Sequence, residues 1–183
     1  MSRDDFDRLG QLFDGLREHP LYIDDDPDTT IANLRSKARR QQLEHGLDLL
    51  VIDYLQLIEV TDRASGENRT QQVSHISRSL KNLARELGCP VIALSQLSRS
   101  VEQRNPPIPI LSDLRESGSI EQDADSVAML YRQGAYNEHC DDPFATDLYV
   151  RKNRNGPTGC VELHFDAARM SFQEVARRPT STI

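Results

Sequence analysis

The 183-residue chain contains no tryptophan, only three cysteines and no long apolar run. A helix needs roughly 18 or more apolar residues to cross a bilayer, so the sequence predicts no transmembrane span. Residues 1–6 also lack the apolar core of a secretory signal peptide. The cysteines (Cys89, Cys140 and Cys160) are odd in number and far apart, which fits neither a metal-ligand pattern nor a disulfide framework. These absences favour a soluble protein of the reducing cytoplasm.

Positive charge is scarce as well. The chain has 22 Lys and Arg against 29 Asp and Glu, a formal net charge of −7. Such a balance argues against a protein that coats duplex DNA through a broad basic surface. A local nucleic-acid site built from backbone amides and a few arginines remains compatible with it. The length suits one domain with enough residues to bury a core.

The most informative stretch is LLVIDYLQ at residues 49–56. Its apolar run, rich in β-branched residues, predicts a strand that is buried on both faces within a parallel sheet. Ligands in open α/β sheets bind outside the carboxyl ends of the strands, where Asp53 ends this run. A carboxylate there can hold Mg²⁺ beside a nucleotide phosphate. The alternative is that Asp53 caps the turn that follows.

A second buried strand is predicted at residues 90–94, after a helix whose apolar residues recur at helical spacing and which ends at Gly88. Strand, helix and strand of these lengths form a βαβ unit, so Gln96 is expected at the same sheet edge as Asp53. A glutamine at a strand tip can hydrogen-bond a terminal phosphate or its attacking water. The alternative role for Gln96 is to satisfy local turn amides.

Further elements follow from spacing and turn residues. Helices are predicted over residues 4–18 and from Thr29 or Thr30 to Gly46, and apolar strands at residues 21–23 and 127–131. The acidic run at residues 24–26 is interpreted as a solvated turn rather than a metal site. Residues 59–68 and 104–109 are expected to be loops, the former mobile.

Residues 148–165 predict a β-hairpin with a densely basic approach, RKNRNGPTG, to its turn. Basic hairpin tips are usually solvated. A short cationic element projecting from a sheet edge is also the form of an arginine finger that reaches a phosphate in a neighbouring subunit.

Four motifs together carry a family resemblance: LLVIDYLQL, VIALSQLSR, SDLRESGSIEQDAD and RKNRNGPTG. In this order and spacing they resemble the later motifs of replicative DNA helicases of the DnaB type, over nearly the whole chain. The resemblance implies an α/β fold: a RecA-like P-loop NTPase core with a mostly parallel sheet, flanking helices and a C-terminal β-hairpin. It also implies a cytoplasmic enzyme that binds ATP and Mg²⁺.

The resemblance assigns roles at the nucleotide site. Asp53 resembles the Walker B carboxylate that positions Mg²⁺, and Gln96 resembles the sensor of the γ-phosphate. Arg154 resembles the arginine finger and Lys152 its basic neighbour, both acting on the ATP of the next protomer.

The resemblance also implies a DNA site and partners. Arg115, Glu116 and Gly118 match the pore loop that tracks the phosphates of single-stranded DNA. The implied assembly is a homo-hexamer that translocates 5′ to 3′ and works with a primase and a helicase loader in DNA replication.

The sequence departs from the family pattern in one respect. No G-x-x-x-x-G-K-[ST] phosphate loop is present, and none of Lys37, Lys81 and Lys152 follows a glycine. Residues 1–176 are therefore expected to form a partial RecA-like motor domain from the Walker B strand onward, followed by a polar tail at 177–183. The sheet is expected to be incomplete on its N-terminal side. It should then leave either a slot or direct pairing between the strands that end at Leu94 and near Tyr131, with lowered stability and aggregation.

Two functions of different classes are compatible with this pattern. The first is part of a ring-shaped replicative helicase that couples ATP hydrolysis to translocation and unwinding, inactive as an isolated chain. The alternative is a non-catalytic remnant or interaction module, or another RecA-like ATPase such as a recombinase or clock ATPase.

Overall fold

The computed structural model describes residues 6, 10, 15, 19–27, 29–59, 69–114, 118–137 and 139–175. Most of the helix predicted at residues 4–18, nearly all of the loop predicted at 59–68, and the tail at 177–183 lie outside these residues.

Three α-helices are described: α1 (Ile31–His45), α2 (Arg69–Leu87) and α3 (Gly118–Asp123). The predicted start of α1 is confirmed, because the Thr30 hydroxyl accepts a hydrogen bond from the Asn33 amide at 3.2 Å and so satisfies a free N–H of the first turn. Gly46 ends this helix with φ +85°, a conformation that disfavours side chains with a Cβ.

The strands form two sheets. β1 (Leu50–Ile52) and β2 (Val91–Ala93) are parallel, whereas β3 (Ser126–Arg132), β4 (Ala145–Asn153), β5 (Gly159–Asp166) and β6 (Ser171–Glu174) are antiparallel in that order. The predicted βαβ unit and hairpin are confirmed. The expected parallel pairing is met only by β1 and β2, and the larger sheet is antiparallel throughout.

The strand predicted at residues 21–23 is wrong. This segment has no ladder partner, and the Tyr22 ring instead stacks on His45 with centroids 5.1 Å apart.

The core lies between α2 and one face of the sheets. Ile76 of α2 is fully buried and Val73 is 1% exposed. The remaining core side chains come from β1, β3 and the segments around them; the cluster includes Ile52, Leu55, Ile58, Leu80, Leu83, Leu87, Leu114, Ile120, Val127 and Met129. The 3.6-residue period of α2 places its apolar side chains on the face that these strands cover.

The prediction that β1 is buried on both faces is wrong. Ile52 is 9% exposed, but its neighbour Val51 is 55% exposed, and Ile92 and Leu94 are 50% and 47% exposed. Successive side chains of a strand point to opposite faces, so these values separate a packed face from a bare one. Among the described residues, nothing covers the second face of the β1–β2 sheet.

A gap separates the two sheets. β2 pairs only with β1 and β3 only with β4 within the described part of the chain. Of the two expected arrangements, a slot and not direct pairing is therefore the one observed. β2 consequently presents one free edge of backbone donors and acceptors.

Candidate functional site

The tips of β1 and β2 lie side by side. Ile52 is the register partner of Ala93, so Asp53 and the segment that leads to Gln96 emerge from the same edge, as predicted. Asp53 is exposed and Gln96 is partly exposed. The Leu55 amide also donates to the Leu94 carbonyl at 2.9 Å, which extends the contact beyond the strands.

Gln56 fastens the two tips together. Its side-chain amide donates to the Ser95 hydroxyl at 3.1 Å, and its side-chain oxygen accepts from the Gln96 backbone amide at 3.4 Å. The backbone of Gln96 is therefore tied to the residues that follow Asp53, while the residue stays open to solvent. Sequence reasoning missed this role of Gln56, because the contact joins residues about 40 positions apart.

The metal chemistry of this edge depends on one carboxylate. In the described ranges, no group of three or more His, Cys, Asp or Glu side chains could hold a metal ion. Mg²⁺ keeps several waters and usually takes one or two protein carboxylates together with substrate phosphates, so a single exposed carboxylate such as that of Asp53 fits this ion. The acidic turn is a solvated ion-pair site, because Asp24 and Asp26 each lie 2.8 Å from the Lys37 ammonium.

The segment that enters the predicted pore loop is anchored beside the β2 tip. Leu97 and Leu114 form an antiparallel bridge, and the Ser98 amide donates to the Asp113 carbonyl at 2.8 Å. The buried Asp113 carboxylate accepts from the Ile110 amide at 2.8 Å and pairs with Arg104. The loop therefore begins from a fixed point next to the segment that carries Gln96.

Of the three predicted DNA-contact residues, Arg115 and Glu116 lie outside the described residues. Gly118 is the first residue of α3, and a Cβ built on it would have nothing within 4 Å. No described atom of this chain therefore requires glycine at this position.

The predicted finger lies at the end of β4. The Arg154 amide donates to the Asp125 carbonyl at 2.8 Å, and the Arg154 guanidinium donates to the Gln122 carbonyl at 2.5 Å. Lys152 donates to the carbonyls of Glu121 and Gln122. Both cations thus bind the carbonyls at the C-terminal end of α3, where cations are favoured electrostatically. These contacts are separate from those of Asp53 and Gln96.

Asp125 joins this group to the core helix. Its carboxylate pairs with Lys81 of α2 and lies 3.8 Å from the Arg154 guanidinium. The hydrogen bond from Lys81, with the charges of Lys81 and Arg154, holds the pKa of the Asp125 carboxyl below its usual value. Sequence reasoning did not single out Asp125, although it closes the motif SIEQDAD.

A cavity of about 620 Å³ lies elsewhere, between the proline-rich loop and the end of β3. Its walls include Arg104, Pro106, Tyr131 and Tyr136. None of the predicted site residues lines it.

Comparison with known proteins decides the family. The family described as the DnaB-like helicase C terminal domain matches residues 1–174. This chain belongs to that family. The resemblance inferred from the four motifs is therefore confirmed.

Two relatives of this DnaB-like chain have been named as replicative helicases. The chain is 51% identical over 178 residues to "Replicative DNA helicase DnaB" of Geobacillus stearothermophilus and 47% identical over 178 residues to "Replicative DNA helicase DnaC" of Bacillus subtilis. Each match covers 97% of this chain and 39% of the relative. The chain thus spans about two fifths of the length of these relatives.

Solved structures support the predicted fold class. The chain resembles a chain of "The Structure Of A DnaB-Like Replicative Helicase And Its Interactions With Primase" with a TM-score of 0.88 and 38% identity, over 96% of this chain and 42% of that one. It also resembles a second solved structure, an isolated ATPase domain, with a TM-score of 0.89 and 38% identity, over 96% and 62% respectively. The α/β, RecA-like fold is thereby confirmed. Among the described helices of the DnaB-like chain, none is long and apolar enough to cross a membrane.

Proposed function

We propose that this chain supplies part of the ATP-driven motor of a ring-shaped replicative DNA helicase. The observation that carries the proposal is the division of the site into two separate groups. Asp53 and Gln96 share one sheet edge, whereas Arg154 and Lys152 are bound to the end of α3. In a ring of head-to-tail contacts, the finger of one subunit then serves the nucleotide of its neighbour.

At the nucleotide, each group has one task. When bound, Mg²⁺ neutralises charge on the phosphate oxygens of ATP. The Asp53 carboxylate holds that ion at the β1 tip, and the Gln96 amide hydrogen-bonds the terminal phosphate or the attacking water. Arg154 and Lys152 bring positive charge to the phosphates in the adjacent subunit.

At the DNA, the proposed contacts follow the anchored segment beyond Leu114. Arg115, Glu116 and Gly118 track the phosphates of single-stranded DNA, partly through main-chain amides. A net charge of −7 is compatible with this mode because few side-chain cations are needed. The intact protein is proposed to be a cytoplasmic homo-hexamer that moves 5′ to 3′ and binds a primase and a helicase loader.

The test uses a full-length protein in which residues 1–174 of this chain replace the matching segment of the Geobacillus relative. Arg154→Ala is expected to lower the DNA-stimulated kcat for ATP by about 10³-fold, the loss typical of a missing arginine finger. Arg169→Ala removes another arginine that is 77% exposed and is the matched control. Unchanged kcat in Arg154→Ala rings that assemble normally would contradict the proposal.

A second candidate concerns the 183-residue chain by itself. The free edge of β2 and the bare face of the β1–β2 sheet favour a non-catalytic piece that completes its site only with further protein. We expect no ATP hydrolysis above the rate of an Asp53→Asn control. ATP turnover by the purified chain that Asp53→Asn abolishes would sink this second candidate.

A further inference from the structure

The Arg154 guanidinium is partly held by its own chain. Arginine has five N–H donors in a fixed plane. One nitrogen donates to the Gln122 carbonyl at 2.5 Å, and the other terminal nitrogen lies 3.8 Å from the Asp125 carboxylate. The side chain is nevertheless 49% exposed. Its direction is thus constrained while much of its donor surface stays available to a phosphate.

Asp125 is the only described carboxylate paired with Arg154. Its place is set by the backbone, because the Asp125 carbonyl accepts from the Arg154 amide at 2.8 Å, next to the paired residues Ser126 and Asn153. Its carboxylate also binds Lys81, on the core helix α2. Asp125 therefore connects the end of the hairpin strand to the most buried helix of the fold.

The same contacts reach the predicted DNA loop. Helix α3 begins at Gly118, directly after the predicted contact residues Arg115 and Glu116. Its last carbonyls, those of Glu121 and Gln122, accept the hydrogen bonds of Lys152 and Arg154. Any displacement of α3 along its axis would move the acceptors that orient both cations.

We infer that Asp125 is a positioning residue for Arg154, and that Asp125 and the end of α3 make the DNA loop and the finger one mechanical unit. This inference rests on the proposed function. It goes beyond it by assigning a residue that touches neither nucleotide nor DNA, and by giving a path through which DNA binding in one subunit changes ATP hydrolysis in the next.

The test compares mixed rings of the full-length chimaera. Asp125→Asn is expected to lower the DNA-stimulated kcat about 10- to 100-fold, because a displacement near 1 Å of a positioned group has effects of that size. The defect should act on the neighbouring subunit. Mixing Asp125→Asn with Asp53→Asn subunits should restore activity, since intact fingers from the latter then serve intact sites in the former.

Mixing Asp125→Asn with Arg154→Ala subunits should restore nothing, because every site then faces a defective finger. Restoration in this mixture, or none with Asp53→Asn, would overturn the inference. A purely structural role for Asp125 would damage the subunit that carries the change and would not show this pattern.

Two single variants serve as controls. Asp141→Asn removes an exposed carboxylate from the loop before β4 and should leave kcat unchanged. Lys81→Met removes the tie to α2 but leaves the carboxylate beside Arg154, so it should retain most of the activity. A loss in Lys81→Met equal to that in Asp125→Asn would refute a role through the finger.

The outcomes separate the two proposals. If Arg154→Ala itself keeps full activity, the proposed function fails. If Arg154→Ala is inactive while Asp125→Asn keeps full kcat and full DNA stimulation, only the present inference fails. If Asp125→Asn does not assemble, Asp125→Glu, which keeps the charge but moves it, is expected to assemble and to show a smaller loss with the same mixing pattern. Full activity in Asp125→Glu rings with unaltered DNA stimulation would count against the inference.

Discussion

Val51 and Ile52 are adjacent in β1 and nearly equal in hydrophobicity, but they lie on opposite faces of the sheet. Ile52 is 9% exposed and belongs to the core, whereas Val51 is 55% exposed. Truncation of each to alanine measures whether the second face is bare in solution.

The expected losses follow from the carbons removed. Ile52→Ala deletes three buried carbons at about 0.8 kcal/mol each, or about 2.4 kcal/mol, and the cavity term raises the loss to about 3 kcal/mol. Val51→Ala deletes two carbons from a residue that is 45% covered (100% minus 55%). The same coefficient then gives a loss of about 0.7 kcal/mol in the free energy of unfolding.

Urea unfolding of the 183-residue chain, followed by circular dichroism at low protein concentration, measures both values. Val51→Thr is the control, because it keeps the β-branched shape that strands favour and changes only polarity. It is expected to be nearly neutral. If Val51→Ala costs as much as Ile52→Ala, the second face is covered, and the account of the sheet given above is refuted.

Three further predictions concern single side chains. Arg104→Met leaves the buried Asp113 carboxylate without its ion-pair partner and should lower the free energy of unfolding by about 2–3 kcal/mol, of which Asp113→Asn in the same chain should recover part if the pairing is the cause. Burial, followed by its hydrogen bond to a neighbouring carboxylate, raises the pKa of Tyr149 to about 12. The folded state then binds more protons than the unfolded state above the ordinary value near 10. Stability should therefore fall by up to about 2.7 kcal/mol between these pH values, and a Tyr149→Phe chain that keeps the full slope in urea titrations would exclude this cause. Burial also raises the pKa of the Cys89 thiol, so iodoacetamide near neutral pH should label Cys89 more slowly than the half-buried Cys140, and mass spectrometry showing the reverse order would contradict its burial.

The parts of the fold that the sequence predicted are those fixed by local periodicity. α2 has apolar residues at helical spacing, and the two apolar runs on either side of it became β1 and β2. The start and end of α1 were also predictable, because Thr30 and Gly46 act through their own backbone neighbours.

The errors arose where burial depends on distant partners. An apolar run such as that around Val51 predicts two covered faces, but coverage depends on what packs there. β6 was not predicted because its residues 171–174 include only one large apolar side chain, Phe172, and it is held by register with β5. Its ladder is a property of the sheet and leaves little trace in its own sequence.

The candidate site divides in the same way. Strand tips and motifs indicated Asp53, Gln96 and Arg154, since position at a strand end is a local property. Gln56 and Asp125 were not recognised, because their contacts join residues separated by about 40 and 30 positions. Their roles follow from side-chain packing, which the spacing of residue types does not encode.

The free edge of β2 leads to a final prediction on hydrogen exchange. In a parallel ladder the amides of alternate residues point to opposite edges. The Leu94 amide donates to the Ile52 carbonyl, so the amides of Val91 and Ala93 face away from β1. No other described strand pairs with that edge.

The amides of Val91 and Ala93 should therefore exchange close to the intrinsic rate, while those of β4, which is paired on both sides, should be strongly protected. The same free edge, beside exposed Ile92 and Leu94, should make the chain associate with rising concentration. Ile92→Lys on the bare face is expected to reduce that association without loss of stability. Uniformly strong protection across residues 49–53, 90–94 and 126–131 in a monomeric sample would mean that the gap is closed in solution. Protection of Val91 and Ala93 that appears only as the concentration rises would instead locate the self-association at this edge.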